Sequence, residues 1–343
     1  MSTPTLGTPT AARAAAAAAP AAGMRWPSGL AAFLVIVVAM AGLPLVASTY
    51  MLTLMVPFFG FAIALLGFNL LFGYTGLLSF GHAMFLGIGA YAAAVMTSKL
   101  GVRSLELTLL VAVAAAVVIA VPVGFLCVRY TRIFFGMLTL AFGMLFHSIL
   151  FKFYGLTGGD QGMRVMRPLL FGMEFQGGKT AFITGPFYYY ALGLLTLLGY
   201  AMWRIVRSPF GLHLTAIREN AQKAAYLGVT VSRMRLAAYV ISGVYGAIGG
   251  VILAVTIGLA DPEIVYWTQS GNLVFMAVLG GSSAFAGPVV GGLAFVLLQD
   301  TVMSATQYWR FVMGGILVLI VIFFPRGIAG LFGDAFARLK RGS

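Results

Sequence analysis

The chain has 343 residues, 61% of them hydrophobic and only 8% charged, whereas a typical soluble domain carries about a quarter charged residues. That excludes water as its main solvent, and the single cysteine, Cys127, excludes an intrachain disulfide framework or a cysteine-built metal site. The net charge of +13 sits in short connections between apolar runs, so membrane orientation accounts for it better than a nucleic-acid-binding face.

Residues 1–29 are rich in Ala, Pro, Thr and Gly, with only Arg13 and Arg25 charged, and read as a disordered cytoplasmic tail. A cleaved signal peptide is the competing reading. The apolar stretch from Leu30 to Ala47 is longer than a usual signal core, which favours a first membrane span. Apolar runs follow at 30–48, 50–72, 76–98, 105–128, 132–152, 185–206, 236–258, 267–281, 286–305 and 310–325. They predict an all-α, polytopic transmembrane helical bundle of about ten passes, because crossing the hydrocarbon takes roughly 20 apolar residues. Glycines punctuate the early runs, and the run 267–281 is short, so some segments are expected to be broken or re-entrant. The membrane-spanning unit is thus placed at 30–325, with a basic cytoplasmic tail at 326–343.

Charge placement sets the orientation, since cytoplasmic loops hold the excess of Lys and Arg. With the amino terminus inside, the cytoplasmic set is Arg13, Arg25, Arg129, Arg132, Arg204, Arg207, Arg218, Lys223, Arg233, Arg235, Arg326, Arg338, Lys340 and Arg341. The other side keeps Lys99, Arg103, Lys152, Arg164, Arg167, Lys179 and Arg310. Both termini are therefore expected in the cytoplasm, which agrees with an even number of passes.

The third run opens on Tyr74, Thr75, Gly76, Ser79, Gly81 and His82. A broken helix there offers backbone amides to a carboxylate and makes these residues candidates for the translocation pathway. Close helix packing through small residues, with Ser79 and His82 bonded internally, is the alternative. His82 is also a candidate proton relay, although a neutral, internally satisfied histidine fits its place as well. A second interrupted segment surrounds Gly280, Gly281, Gly287, Pro288, Gly291 and Gly292, which hints at an internal repeat around a midplane path.

The segment 208–235 lies between two spans on the cytoplasmic side. Ser208 and Pro209 signal a helix start and Gly228 a stop, while Leu214, Ile217, Ala221, Ala224 and Leu227 form one small apolar face. Its other edge carries Arg218, Glu219, Asn220 and Lys223. Such a helix suits docking into a groove on a cytosolic partner, or equally lying on anionic headgroups. No phosphate-binding GxxxxGK[ST] loop occurs, so any ATP-driven work needs another subunit.

Acidic residues separate the transport classes. Glu106 starts a span, Asp160, Glu174, Asp261 and Glu263 lie in outer loops, Asp300 comes late in a span, and Glu219 and Asp334 are cytoplasmic. A carboxylate at mid-membrane, the usual need of a proton-coupled carrier, is not evident. An ion-coupled secondary carrier for a small solute stays as the alternative, since sodium sites can use carbonyls. An intramembrane enzyme has no support in paired carboxylates, a nucleophile with its base, or a metal cluster.

Five blocks, GYTGLLSFGHAMFLGIGAYAAA from Gly73, LTGGDQG from Leu156, AIRENAQKAAYLGV from Ala216, VLGGSSAFAGPVVGG from Val278 and FFPRGIAGL from Phe323, resemble the LivM-like permeases of bacterial branched-chain amino acid ABC transporters. The resemblance spans nearly the whole chain beyond the tail. It implies a permease subunit of the bacterial inner membrane, without catalysis of its own, that carries branched-chain or related amino acids. The implied partners are a second, similar permease, two cytosolic ATPase subunits that hold ATP and Mg, and a periplasmic substrate-binding protein. No cofactor or metal is implied on this chain. The loop then resembles the ATPase-docking loop of importers, with Ala216, Arg218, Glu219, Asn220, Lys223, Ala224, Ala225 and Gly228 as coupling candidates. It departs from that pattern where Lys223 replaces a glutamate before Ala224 and Ala225, and its glycine spacing is one shorter. The resemblance also makes the outer loop 153–184, with Gly158, Gly159 and Asp160, a candidate periplasmic gate or binding-protein contact, against the plainer reading of a solvated turn.

Overall fold

The computed structural model describes residues 27–130, 133–175, 177–282, 284–323 and 327–328. Residues 1–26 of the expected amino-terminal tail and nearly all of the carboxy-terminal tail lie outside the described residues. The long helices, in chain order, are α1 (Pro27–Gly42), α2 (Thr49–Asn69), α3 (Ala83–Ala94), α4 (Leu105–Cys127), α5 (Ile133–Lys152) and α6 (Pro186–Arg207). They continue as α7 (Pro209–Tyr226), α8 (Val231–Ile257), α9 (Trp267–Gly280), α10 (Gly287–Ala305) and α11 (Trp309–Phe323). Helical turns of the π type extend α2 over Leu70–Tyr74 and α3 over Val95–Lys99.

Among the described residues, six helical stretches are long and apolar enough to cross a membrane: Thr49–Tyr74, Leu105–Cys127, Ile133–Lys152, Lys179–Arg207, Val231–Ile257 and Gly287–Ala305. Phe33–Leu45 and Ala83–Lys99 are shorter apolar helices. The apolar windows of α2 and α8 are 72% and 78% buried, against 22% for α4 and 28% for α5. The core is therefore built on α2 and α8, and α4 and α5 turn most of their surface outward to lipid or partner.

Small residues make that core possible. A Cβ on Gly89 of α3 would lie 1.8 Å from the carbonyl oxygen of Ala247 on α8, and one on Gly250 would lie 2.0 Å from that of Leu86. Without a hydrophobic drive between helices inside lipid, such backbone approach supplies the packing contacts that hold a bundle together. Large aromatics fill the remaining space, with Phe59 edge-on to Tyr188 and Phe85 edge-on to Tyr239.

The helix ends gather at two poles. At one pole the loop after α5 folds over neighbouring ends, where β1 (Met163–Arg164) pairs antiparallel with β2 (Leu259–Ala260). Lys99 Nζ donates to the carbonyls of Gly155 and Leu156, Lys179 Nζ donates to that of Ile257, and Arg103 pairs with Glu174 at 3.0 Å. Tyr50 at the start of α2 donates to Asp300 at 2.5 Å, and Tyr188 donates to the carbonyl of Met40 at 2.7 Å. At the opposite pole stand α7 and the start of α8. There the end of α2 meets Arg218, and Gly281 lies close against Gly327.

Element bounds follow the expected apolar runs closely, with two informative departures. The helix expected from residue 236 already begins at Val231, so the connection after α7 is short. The stretch expected as the start of a span at 76 is without regular structure until Ala83, which makes the third segment a broken one.

Candidate coupling and translocation sites

The charged segment 208–235 forms the kinked helix α7, a short turn and the start of α8. Ser208 is extended (φ −76°, ψ 167°) and Pro209 occupies the first turn, where its missing N–H costs nothing. Leu214 and Ile217 are buried, anchoring the first part of α7 on the bundle. At Asn220 the backbone leaves helical geometry (φ −157°, ψ 100°), and its Oδ1 accepts the amide of Lys223 at 2.9 Å, restarting a short second piece. Gly228 follows with φ +86°, a left-handed geometry natural for glycine just past a helix end.

The kink changes which residues face out. The sequence suggests one continuous apolar face that includes Leu227, yet Leu227 is 85% exposed and Tyr226 80% exposed, while Ala224 stays buried. The restart at Asn220 rotates the second piece, so helical spacing counted across it no longer marks one face. Of the coupling candidates, Ala216, Arg218, Glu219, Asn220, Lys223, Ala225 and Gly228 are exposed. Arg218 reaches back into the bundle and donates to the carbonyl of Gly73. Tyr226 and the 69% exposed Leu212 are additions that helical periodicity did not single out.

The translocation candidates fall around the first break. Chain leaving α2 turns at Gly76 (φ +72°) and runs without regular structure back into the bundle. It reaches His82, which is fully buried. Ser242, its partner at 3.3 Å through Nε2, lies about 16 Å along α8 from Val231 at 1.5 Å per residue. Since α8 spans about 40 Å by the same rise, His82 sits near mid-depth. Phe68 and Phe85 pack edge-on against its ring, and Nδ1 has no partner among the described residues.

Beyond the break, the amides at the start of α3 are taken up by protein groups. The amide of Ala83 donates to Ser270 Oγ on α9 at 2.9 Å, that of Met84 to the carbonyl of Gly81, and that of Phe85 to the carbonyl of His82. The first turn of α3 is thus closed by protein groups. Thr75 Oγ1 donates back to the carbonyl of Leu71, Tyr74 is buried, and a Cβ on Gly81 would lie 1.8 Å from the carbonyl oxygen of Thr139. Gly81 therefore serves close packing, while Ser79 Oγ is buried with no partner among the described residues. The structure brings Ser79, His82, Ser242 and Ser270 to the first break, and the last two carried no signal in the sequence beyond being polar residues in apolar runs.

In the outer loop, Gly158 and Gly159 have positive φ and turn the chain, with Gly159 buried and Asp160 exposed. Nearby, an open cavity of about 360 Å³ is lined by His147, Ser148, Phe151 and Lys152 of α5. His147 also packs on Tyr266 at 5.2 Å between ring centres. Among the described residues, no group of three or more His, Cys, Asp or Glu could hold a metal ion.

Apolar helices packed through glycine, a broken segment returning to mid-depth and a charged kinked helix at one pole define a multi-pass membrane protein. The chain belongs to the family described as branched-chain amino acid transport system / permease component, which matches residues 50–321. It is 28% identical to the high-affinity branched-chain amino acid transport system permease protein LivM of Salmonella typhimurium, over 77% of this chain and 66% of that protein. LivM of Escherichia coli is similar to the same degree, so the chain spans 66% of the length of these two relatives. BraD of Pseudomonas aeruginosa, named as a permease protein of the same kind of system, is 26% identical over 79% of this chain and 91% of its own length. No solved structure matches.

Proposed function

We propose that the chain is a permease subunit of an ATP-driven importer of branched-chain amino acids in a bacterial inner membrane. The observation that carries this is the family match over residues 50–321 together with α7, whose exposed Tyr226 and Leu227 stand at the pole opposite the folded outer loop. An apolar tip beside Glu219 and Lys223 suits a groove on a soluble partner. The partners are two cytosolic ATPase subunits that bring ATP and Mg, a second permease that completes the path, and a periplasmic protein that delivers substrate at the loop 153–184. The chain itself performs no chemistry.

In this reading both termini are cytoplasmic and about ten passes cross the membrane. Two contacts support it. Gly327 lies against Gly281 at the pole of α7, and Phe33 near the start of α1 packs against Phe285 beside the same break. The path follows the first break through Tyr74, Thr75, Gly76, Ser79, Gly81 and His82, and it opens when the bonds closing α3 exchange. An ion-coupled carrier working alone gains nothing from an exposed apolar tip on α7.

Co-expression with ATPase subunits of a branched-chain amino acid importer from the same source and purification through a tag on this chain tests the proposal. An ATPase subunit should co-purify in stoichiometric amount. Its absence, with the chain folded and monodisperse, would sink the importer reading.

A further inference from the structure

One exposed residue of α7 also reaches back into the bundle. Arg218 stands two positions before the kink at Asn220, and its Nη1 donates to the carbonyl of Gly73 in the π turn that ends α2. Its Cγ lies 3.2 Å from the position a Cβ would take on Gly76, so the side chain rests on the left-handed turn that sends the chain back into the membrane. The same turn touches the second break, because a Cβ on Gly73 would lie 2.5 Å from the carbonyl oxygen of Ser282. Three elements therefore meet around Gly73: the exposed coupling helix, through Arg218, the start of the first break and the loop of the second.

We propose that Arg218 is the positioning residue through which movement of α7 reaches the translocation path, rather than a contact for the ATPase. The inference rests on the importer reading above. The stretch from Gly76 to His82 has no regular structure, so it is held by what grips its start and by the packing around His82. A guanidinium is charged at every physiological pH, and its bond to a carbonyl is charge-assisted and stronger than a neutral one. Its planar fork has further donors, and Asn69 Oδ1, buried without a partner, lies 2.2 Å from the Cβ position of Gly73. The turn that Arg218 grips thus carries both its acceptor, the Gly73 carbonyl, and a buried polar neighbour, so a shift of α7 is passed to the start of the break. Gly76 fits the same role, since a side chain there would be strained at φ +72° and would press on Arg218.

The test uses the intact importer in proteoliposomes, with leucine as probe and with three readouts: ATPase subunit retained, ATP hydrolysed and leucine taken up per ATP. For Arg218→Ala the ATPase stays bound and hydrolysis holds within roughly twofold, while leucine per ATP falls by about tenfold or more, the scale of an ordinary inter-site coupling. Arg218→Lys keeps the charge and stem but lacks the fork, and it restores part of the ratio. If Arg218→Ala does not accumulate, the lysine variant decides alone: a lowered ratio with normal hydrolysis supports the proposal. Loss of the ATPase subunit, or an unchanged ratio in a variant that assembles, overturns it. Failure of the importer reading looks different, because the unsubstituted complex would then show no ATP-dependent uptake.

Discussion

The hydroxyl of Ser270 accepts the backbone amide of Ala83 at 2.9 Å, although 187 residues separate them in the chain. One side chain on α9 thereby closes the first turn of α3, joining the two interrupted halves of the bundle at a fully buried point. Replacing Ser270 by Ala leaves that amide unpaired, a loss of about 1–3 kcal/mol. Thermal unfolding of the detergent-purified protein should drop clearly for Ser270→Ala and stay near the parent value for Ser148→Ala, whose exposed hydroxyl only bonds back to its own helix. Equal midpoints for the two would contradict the buried contact.

Gly89 tolerates no side chain. Its Cβ position lies 1.8 Å from the carbonyl oxygen of Ala247, so Gly89→Val must separate α3 from α8 along the core. Little folded protein is expected, seen as loss of the monodisperse peak on size-exclusion chromatography. Gly193→Ala on α6, with nothing within 4 Å, should run like the parent.

The two poles should face opposite sides of the membrane. With the buried Cys127 replaced by Ala, a cysteine at exposed position Asp160 should react with an impermeant maleimide added to spheroplasts, and one at Lys223 should react only after lysis. Labelling of both in intact spheroplasts, or the reverse pattern, would break the assigned orientation.

Much of this architecture is legible from residue order alone. Continuous apolar runs mark the helices because lipid forces backbone bonding inside each segment, and Gly76, Pro209 and Gly228 mark the turns by their chemistry. Glycine density around residues 73–89 announces the first break without saying what it serves. Close approach to Ala247 and Thr139 is a property of partners distant in the chain, so no local pattern contains it. The same limit applies to Ser242 and Ser270. The exposure of Leu227 was hidden for a different reason: periodicity assumes an unbroken helix, and the non-helical Asn220 resets the face.

That reset predicts the coupling surface. Leu227→Asp and Tyr226→Asp place charge on side chains that are 85% and 80% exposed, so the chain itself should fold as before. Each should weaken capture of the ATPase subunit by about tenfold, the cost of removing one well-buried apolar contact from an interface. Leu212→Asp, on the other exposed flank of α7, separates a narrow docking tip from a broad one: unchanged capture confines the interface to the second piece of the helix.

In the proposed importer this chain moves its substrate only as part of an ATP-driven complex. The most direct measurement is uptake of radiolabelled leucine by proteoliposomes containing the permease pair and its ATPase subunits, with the periplasmic binding protein supplied, in the presence and absence of ATP. Uptake against a gradient that requires ATP and the binding protein, and is abolished when the ATPase subunits are left out, is the predicted result. Uptake by this chain alone, driven by a proton or sodium gradient and indifferent to ATP, would contradict it.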